Sequence, residues 1–227
     1  MEWATARDVV ALGPGLGRDL ETGDLVRQLL GAIHRPIVLD ADGLSVLGDE
    51  LGVLCDRAAQ DVEATTILTP HPGEAARLLG VDAAEINADR VGAARRLAES
   101  SQSVVILKGA GTVVTEPGGR ALIIPTGGPA LASAGTGDVL TGAVAALLAS
   151  GRPAFEAAGL AAWWHGASAD QIDAPRVGFG LLASEVADEL PKCASEMIRK
   201  MSADRNVDLG MDRERPDAEL VLRFPGP

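Results

Sequence analysis

The sequence predicts an α/β fold in which a mostly parallel central sheet is flanked by helices on both faces and carries one β-hairpin. Short, almost continuous apolar segments, which are typical of buried parallel strands, alternate with segments of helical period. Two β-prone segments around Pro117, Gly118 and Gly119 predict the hairpin. We expect residues 1–195 to form one domain. The mixed-charge segment 196–227 is predicted to be a disordered tail.

Four apolar segments account for the parallel strands, and two more form the hairpin. The first four are residues 9–12, 36–40, 66–69 and 104–107, and the hairpin arms are residues 112–115 and 121–124. Helices are predicted over residues 19–30, 89–100, 139–148, 155–170 and 182–190, and a further helix after Glu74 carries Ala75, Leu78 and Leu79. In the first of these, Leu25, Val26, Leu29 and Leu30 are expected to share the buried face.

Composition excludes several classes of partner. The net charge of −12 argues against nucleic acid and anionic membranes, because both would be repelled by an acidic surface. The longest apolar run, at residues 139–148, is much shorter than the roughly 20 residues that span a bilayer. The first residues lack the layout of a signal peptide, and Cys55 and Cys193 lie far apart in the sequence. We therefore expect a reducing, cytoplasmic location.

The stretch from 125 to 150 has the strongest functional signal. Its centre, Gly135-Thr136-Gly137-Asp138, leads into an apolar helix, so the free amides of a helix start follow a flexible glycine loop. Such a site favours a bound anion. Asp138 would fit there as a base that takes a proton from a hydroxyl while the amides hold a phosphoryl group. An ordinary glycine turn with Asp138 as a helix cap remains the alternative.

Further glycines and carboxylates follow the first two strands. Gly15 and Gly17 belong to the loop 13–17, where they would let a ligand approach the backbone, although a tight turn is equally consistent. Arg18 stands where a dinucleotide-binding fingerprint needs glycine. Asp40, at the end of the second strand, could contact a metal or a substrate, and Asp42 could equally cap a helix.

The third and fourth strands also end in polar loops. His71 could donate to a substrate oxygen, and Glu74 could orient a Mg²⁺-bound water, or else simply cap the helix that follows. Lys108 precedes Gly109 and Gly111 and could contact a phosphate, or could be a solvated turn residue. No P-loop motif occurs in the sequence.

These polar loops can converge. The carboxyl ends of parallel strands meet at one edge of a sheet, which is where open α/β folds bind ligands. The sequence therefore predicts one composite site formed by residues 13–17, 71–74, 108–112 and 135–138.

Five motifs in order carry a family resemblance. GPGLG, LDADGL, TPHPGE, LKGAGT and GTGDVLTG together resemble the ADP- or ATP-dependent NAD(P)H-hydrate dehydratases of the ribokinase-like superfamily, over roughly residues 9–190. His71 stands where the related small-molecule kinases have asparagine. The resemblance implies a lyase of metabolite repair. It would restore NADHX and NADPHX, the hydrated cofactors, to NADH and NADPH by phosphorylation of the ring hydroxyl and loss of phosphate.

The resemblance also implies roles for single residues. Asp138 would be the catalytic base, and Mg²⁺ would be placed with the help of Glu74. The hydrate would contact Gly15, Gly17, His71 and Asp138. The nucleotide, ADP or ATP, would contact Lys108, Gly109, Ala110, Gly111, Thr112, Gly135, Thr136 and Gly137. A homo-oligomer, a tetramer in the family pattern, is expected.

The chain departs from the family pattern in one respect. Members of the family have a further strand, glycine loop and helix before the GPGLG strand, and we interpret this sequence as N-terminally short. Two alternatives therefore stand beside the dehydratase: a ribokinase-like kinase of a small vitamin-precursor alcohol, and an inactive remnant that binds nucleotide.

Overall fold

Six strands form one mixed sheet in the computed structural model, which describes residues 6–60, 64–176 and 180–205. Their order across the sheet is their order in the chain. The first four strands run parallel, and the last two form the antiparallel hairpin. The strands are β1 (Val10–Leu12), β2 (Ile37–Leu39), β3 (Thr66–Leu68), β4 (Val104–Leu107), β5 (Val113–Thr115) and β6 (Ala121–Ile123). The predicted fold class is confirmed.

Helices cover both faces of this sheet. Six of them lie between β1 and β4: α1 (Leu20–Ala32), α2 (Ala41–Ser45), α3 (Gly52–Gln60), α4 (Pro72–Leu79), α5 (Ala83–Ala88) and α6 (Arg90–Ser101). After the hairpin come a short 3₁₀ turn, Pro129–Leu131, and then α7 (Thr136–Ala149), α8 (Ala154–Asp173) and α9 (Ala183–Arg205). Within the described ranges, no helix combines the length and apolar character that crossing a bilayer requires.

Two apolar layers hold the sheet between these helices. Successive strand residues point to opposite faces. Accordingly, Ile37 and Leu39 pack in the layer formed with α1 to α6, whereas Val38 packs in the layer formed with α7 and α8. All three side chains are fully buried. Both faces of β2 are therefore covered, which explains why its sequence is continuously apolar.

The helices before β4 differ from the predictions in two respects. Leu25, expected on the buried face of α1, is 49% exposed. Helices α3 and α5 were not predicted. Helix α3 contains Arg57, whose buried guanidinium donates to the Leu30 carbonyl at 3.0 Å and to Thr66 Oγ1 at 3.1 Å. A charged residue facing inward breaks the apolar period by which a helix is recognised.

Helix α9 is longer than expected. The segment 196–205, predicted to belong to a disordered tail, continues the helix to Arg205, with Pro191 inside it. Packing against α8 holds the helix beyond that proline. Cys193 is buried, and Trp164 Nε1 donates to the Leu190 carbonyl at 2.7 Å. Residues 206–227 of the predicted tail lie outside the described residues.

Candidate functional site

The ends of the four parallel strands lie side by side at one edge of the sheet. Backbone hydrogen bonds join them in sequence: Asp40 N donates to Leu12 O at 3.1 Å, and Thr69 N donates to Leu39 O at 3.1 Å. Lys108 N donates to Pro70 O at 2.8 Å. The predicted convergence of loops 13–17, 71–74 and 108–112 on this edge is confirmed.

The fourth predicted loop meets the same edge through Lys108. Gly135, with φ +85°, caps α7, and Asp138 lies exposed in the first turn of that helix. A Cβ built on Gly137 would lie 3.4 Å from Lys108 Nζ. Glycine at 137 therefore lets the ammonium group approach the beginning of the helix closely.

Hydrogen bonds within the first turn of α7 decide which amides are available. The Asp138 and Val139 amides donate to the Gly135 carbonyl at 3.1 and 3.2 Å, and the Thr136 amide donates at 3.4 Å to the Ser133 carbonyl. Of the four amides from 136 to 139, only the Gly137 amide lacks an acceptor among the described residues. This available donor belongs to the residue whose built Cβ would lie 3.4 Å from Lys108 Nζ.

Asp40 is the buried partner of that lysine. Its Oδ1 accepts from Lys108 Nζ at 2.8 Å, and its Oδ2 accepts from Thr141 Oγ1 at 2.8 Å. The Asp40 side chain is 1% exposed, whereas that of Lys108 is 21% exposed. Protein donors thus occupy both oxygens of Asp40, so the suggested metal or substrate contact does not fit this residue.

The loop after β1 is held by Asp42. Gly17 N donates to Asp42 Oδ2 at 3.1 Å, and Arg18 Nε donates to Asp42 Oδ1 at 2.6 Å. The bond from Arg18 is the main cause that lowers the pKa of Asp42. The suggested helix cap at Asp42 is wrong, because this residue lies inside α2 and holds the glycine loop instead. Gly15 has open space around its Cα.

The loop after β4 presents an exposed glycine backbone. Gly109, Ala110 and Gly111 are exposed, and Thr112 Oγ1 donates across the loop to Gly109 O at 3.1 Å. Beneath them, Arg90 Nη2 donates to Leu107 O at 3.0 Å and to Lys108 O at 3.2 Å. Burial lowers the pKa of Arg90. The motif gave no sign of this support, because Arg90 lies in a helix of ordinary amphipathic pattern.

His71 and Glu74 form a capping box at the start of α4. His71 Nδ1 accepts from the amides of Gly73 and Glu74, at 3.0 and 3.2 Å, and Glu74 Oε2 accepts from His71 N at 2.8 Å. Glu74 is buried, whereas the His71 side chain is 52% exposed. The capping alternative for Glu74 is therefore present. His71 Nε2 also lies 3.5 Å from Glu74 Oε1, and the exposed half of the ring can face a ligand.

His165, in α8, contacts the backbone at the start of α7. Its Nε2 lies 2.9 Å from the Thr136 carbonyl oxygen, and the residue is buried. Burial lowers the pKa of His165 to about 4. The imidazole is therefore neutral at physiological pH and donates from Nε2 to that carbonyl.

Comparison with known proteins identifies the family. The NAD(P)H-hydrate dehydratase family model matches residues 1–192. The bifunctional NAD(P)H-hydrate repair enzyme of Moorella thermoacetica is 42% identical over 205 residues, which cover 90% of this chain and 38% of that protein. The chain thus spans less than two fifths of the length of this curated relative.

Two solved structures are similar in fold. One is the ADP/ATP-dependent NAD(P)H-hydrate dehydratase of Bacillus subtilis, co-crystallised with ATP and Mg²⁺, with a TM-score of 0.74 and 34% identity over 86% of this chain and 68% of that one. The other is a ribokinase-like superfamily protein of Enterococcus faecalis, with a TM-score of 0.70 and 22% identity over 86% of this chain and 65% of that one. The fold is therefore ribokinase-like, and the chain belongs to the NAD(P)H-hydrate dehydratase family.

Proposed function

We propose that this chain carries an ADP- or ATP-dependent dehydration of NADHX and NADPHX to NADH and NADPH. One observation carries the proposal: Lys108 Nζ lies 3.4 Å from a Cβ built on Gly137, whose amide is an available donor, and the next residue, Asp138, is exposed. A cation and an amide can hold a phosphoryl group there, next to a base that can accept the proton of the attacking hydroxyl. Membership of the dehydratase family supports this choice of substrate.

The phosphoryl-transfer step needs positioning and charge stabilisation more than covalent chemistry. Asp138 accepts the proton of the ring hydroxyl as that oxygen attacks the terminal phosphorus of the nucleotide, and the shorter nucleotide leaves with the electron pair. The Gly137 amide and Lys108 Nζ stabilise the charge on the transferred group. We include Gly135 and Thr136 in this site because they form the turn that presents Gly137.

Elimination completes the reaction. The phosphate leaves the ring carbon with the C–O electron pair, and the lone pair of the ring nitrogen fills the deficit. Transfer of a proton from the neighbouring carbon to water then forms the ring double bond. The same ammonium group and amide favour departure of the phosphate, because they bind it more strongly as its charge increases.

The remaining predicted residues divide between two ligands. The exposed Gly109, Ala110 and Gly111, with the half-buried Thr112 next to them, suit the nucleotide. Gly15, Gly17 and His71 suit the hydrate, because the open space at Gly15 and the half-exposed ring of His71 leave room for a ligand after β1 and β3, on either side of β2.

Mg²⁺ fits this site as an ion carried by the nucleotide. Among residues 6–60, 64–176 and 180–205, no three His, Cys, Asp or Glu side chains form a metal-binding group. Mg²⁺ bound to phosphates needs only one or two protein carboxylates and keeps several waters. Glu74 uses Oε2 in the capping box, so it would accept from a Mg²⁺-bound water through Oε1, which lies 3.5 Å from His71 Nε2. The ion would neutralise charge on the phosphates.

Analysis of the phosphorus products tests this proposal against both alternatives. The chain is incubated with NADHX, Mg²⁺ and, in separate samples, ADP or ATP, and the products are followed by ³¹P NMR. The dehydratase releases inorganic phosphate in equal amount to NADH. A kinase of a vitamin-precursor alcohol would leave the nucleotide intact with NADHX and would form a stable phosphate ester with its own substrate. A nucleotide-binding remnant would give neither product.

The predicted homo-oligomer rests on the resemblance alone. Light scattering of the purified chain tests this prediction, and a measured mass equal to that of one chain would show that the prediction is wrong.

A further inference from the structure

We propose that Asp40 is a positioning residue that holds the Lys108 ammonium group beside the Gly137 amide, with Thr141 fixing the second oxygen of Asp40. This inference rests on the proposed function, since it assigns Lys108 Nζ and the Gly137 amide to a phosphoryl group. It adds two residues to the site: Asp40, which directly follows β2, and Thr141, which lies in α7.

The geometry of Asp40 leaves it no contact with a ligand. Its side chain is 1% exposed, and its two oxygens accept from Lys108 Nζ and Thr141 Oγ1, each at 2.8 Å. A buried carboxylate is costly unless it is paired and hydrogen-bonded, and here both conditions are met. Asp40 therefore acts on a bound phosphate through the lysine rather than directly.

Thr141 connects the carboxylate to the helix that supplies the amide. Residues 137 and 141 are four apart in α7, so they lie on the same face, one turn apart. Asp40 Oδ2 lies within 3.8 Å of a Cβ built on Gly137, and Lys108 Nζ lies within 3.4 Å of it. One carboxylate thus sets the positions of the ammonium group and the helix start relative to each other.

This arrangement reduces the cost of binding. A free lysine side chain loses rotamer entropy when it is ordered. In this fold that loss accompanies folding, because Asp40 orders Lys108 before a ligand arrives. An ammonium group has three donors, so one bond to Asp40 leaves two for phosphate oxygens. Preorganisation of this kind increases affinity without adding a contact.

The backbone around Asp40 fixes the carboxylate itself. Asp40 N donates to Leu12 O at 3.1 Å, and Gly43 N donates to Asp40 O at 3.0 Å. The residue is therefore tied to the end of β1 and to the start of α2. Such fixed support is what a positioning residue requires, since a mobile carboxylate would not hold the lysine.

Calorimetric titration with ADP and Mg²⁺ tests the inference on the full chain. We expect Asp40→Asn and Lys108→Met each to weaken ADP binding about tenfold or more, and the double variant to be no weaker than Lys108→Met alone. Non-additivity of this kind is expected when one residue acts through the other. A general structural role for Asp40 would instead give losses that multiply.

A milder pair of variants covers the case in which Asp40→Asn does not fold. Thr141→Val removes the donor to Asp40 Oδ2 with little change in volume, and we expect ADP binding about three- to tenfold weaker. Thr141→Ser keeps the hydroxyl group and should restore wild-type binding. The inference would be overturned if Thr141→Val bound ADP as tightly as the wild type. It would also be overturned if the losses of ADP affinity in Asp40→Asn and Lys108→Met multiplied in the double variant.

A second readout separates this inference from the proposed function. The side-chain ammonium signal of Lys108 in ¹⁵N-correlated NMR should be protected from solvent exchange in the wild type and lost in Thr141→Val or Asp40→Asn. A wild type that shows the protected signal but binds no nucleotide would refute the proposed function and, with it, the phosphate role of Lys108. A wild type without a protected signal that does bind ADP would overturn the positioning role alone.

Discussion

Gly13 lies so close to Asp40 that a Cβ built on the glycine would come within 1.8 Å of the Asp40 carbonyl oxygen. The loop after β1 therefore packs directly against the end of β2. The φ angle of Gly13 is +135°, which residues other than glycine rarely adopt. Glycine is required here both for space and for conformation.

Gly13→Ala should destabilise the protein strongly, and Gly15→Ala is its matched control. Overpacking costs about 1–3 kcal/mol, and the unfavourable backbone conformation adds to that. Gly15 also has positive φ but open space around it, so only the conformational cost of about 1–2 kcal/mol applies. Urea unfolding measures both. Equal losses in the two variants would show that the contact with Asp40 does not constrain residue 13.

Asp138→Asn should abolish turnover with little change in stability. The replacement is nearly isosteric and the side chain is exposed, but an amide cannot accept the hydroxyl proton. Loss of a general base costs about 10²–10⁴-fold in rate. Glu85→Gln, an exposed change in the first turn of α5, is the control and should leave the rate unchanged. If Asp138→Asn keeps more than a tenth of the activity, Asp138 is not the base.

The low pKa of His165 in the folded chain should make the protein less stable in mild acid than at neutral pH. Its pKa is about 4 in the folded chain and about 6.5 when unfolded, so below pH 6.5 the unfolded state binds a proton that the folded state does not. Stability therefore falls as the pH drops from 6.5 towards 4. At pH 5 the loss is about 2 kcal/mol, from 1.4 kcal/mol for each pH unit.

His165→Gln provides the comparison for that loss, because glutamine does not titrate. The difference in unfolding free energy between pH 7 and pH 5 should be smaller in this variant by about 2 kcal/mol. The same difference in both proteins would mean that His165 is not buried in its neutral form.

Glu74→Gln separates the capping role of Glu74 from its proposed role towards Mg²⁺. Glutamine can still accept from the His71 amide, so stability should change by less than about 0.5 kcal/mol. Glu74→Ala breaks the cap and should cost about 1 kcal/mol. If Glu74 also holds a Mg²⁺-bound water, the Mg²⁺ concentration needed for half-maximal activity should rise in Glu74→Gln. An unchanged Mg²⁺ requirement would mean that Glu74 only caps the helix and does not contact the Mg²⁺-bound water.

Local patterns predicted most of the fold because its central strands are covered on both faces. The apolar segment that became β4 is fully buried, and Asp19 begins α1 by accepting from the Thr22 amide, as its residue type indicates. Leu25 was misassigned because an apolar residue next to a buried face need not belong to that face. Arg57 is buried through hydrogen bonds to distant carbonyls, which a local pattern does not contain.

The residues and loops that form the site could be predicted from the sequence, but the hydrogen bonds between its side chains could not. Glycines, His71 and Asp138 stand out by residue type, and strand ends converge for topological reasons. The pairing of Asp40 with Lys108 joins residues 68 positions apart, and that with Thr141 joins residues 101 apart. The sequence does contain a signal for the first pair: opposite charges directly follow two buried strands. Only the fold places Thr141 opposite the same carboxylate.

The most direct test of the account is the near-ultraviolet absorbance of NADH when the purified chain is mixed with NADHX, Mg²⁺ and either ADP or ATP. We predict that the absorbance rises only when a nucleotide is present and that it does not rise with Asp138→Asn. The nucleotide that supports the rise is the phosphoryl donor. A flat trace with both nucleotides, from a folded chain, would contradict the proposed dehydration.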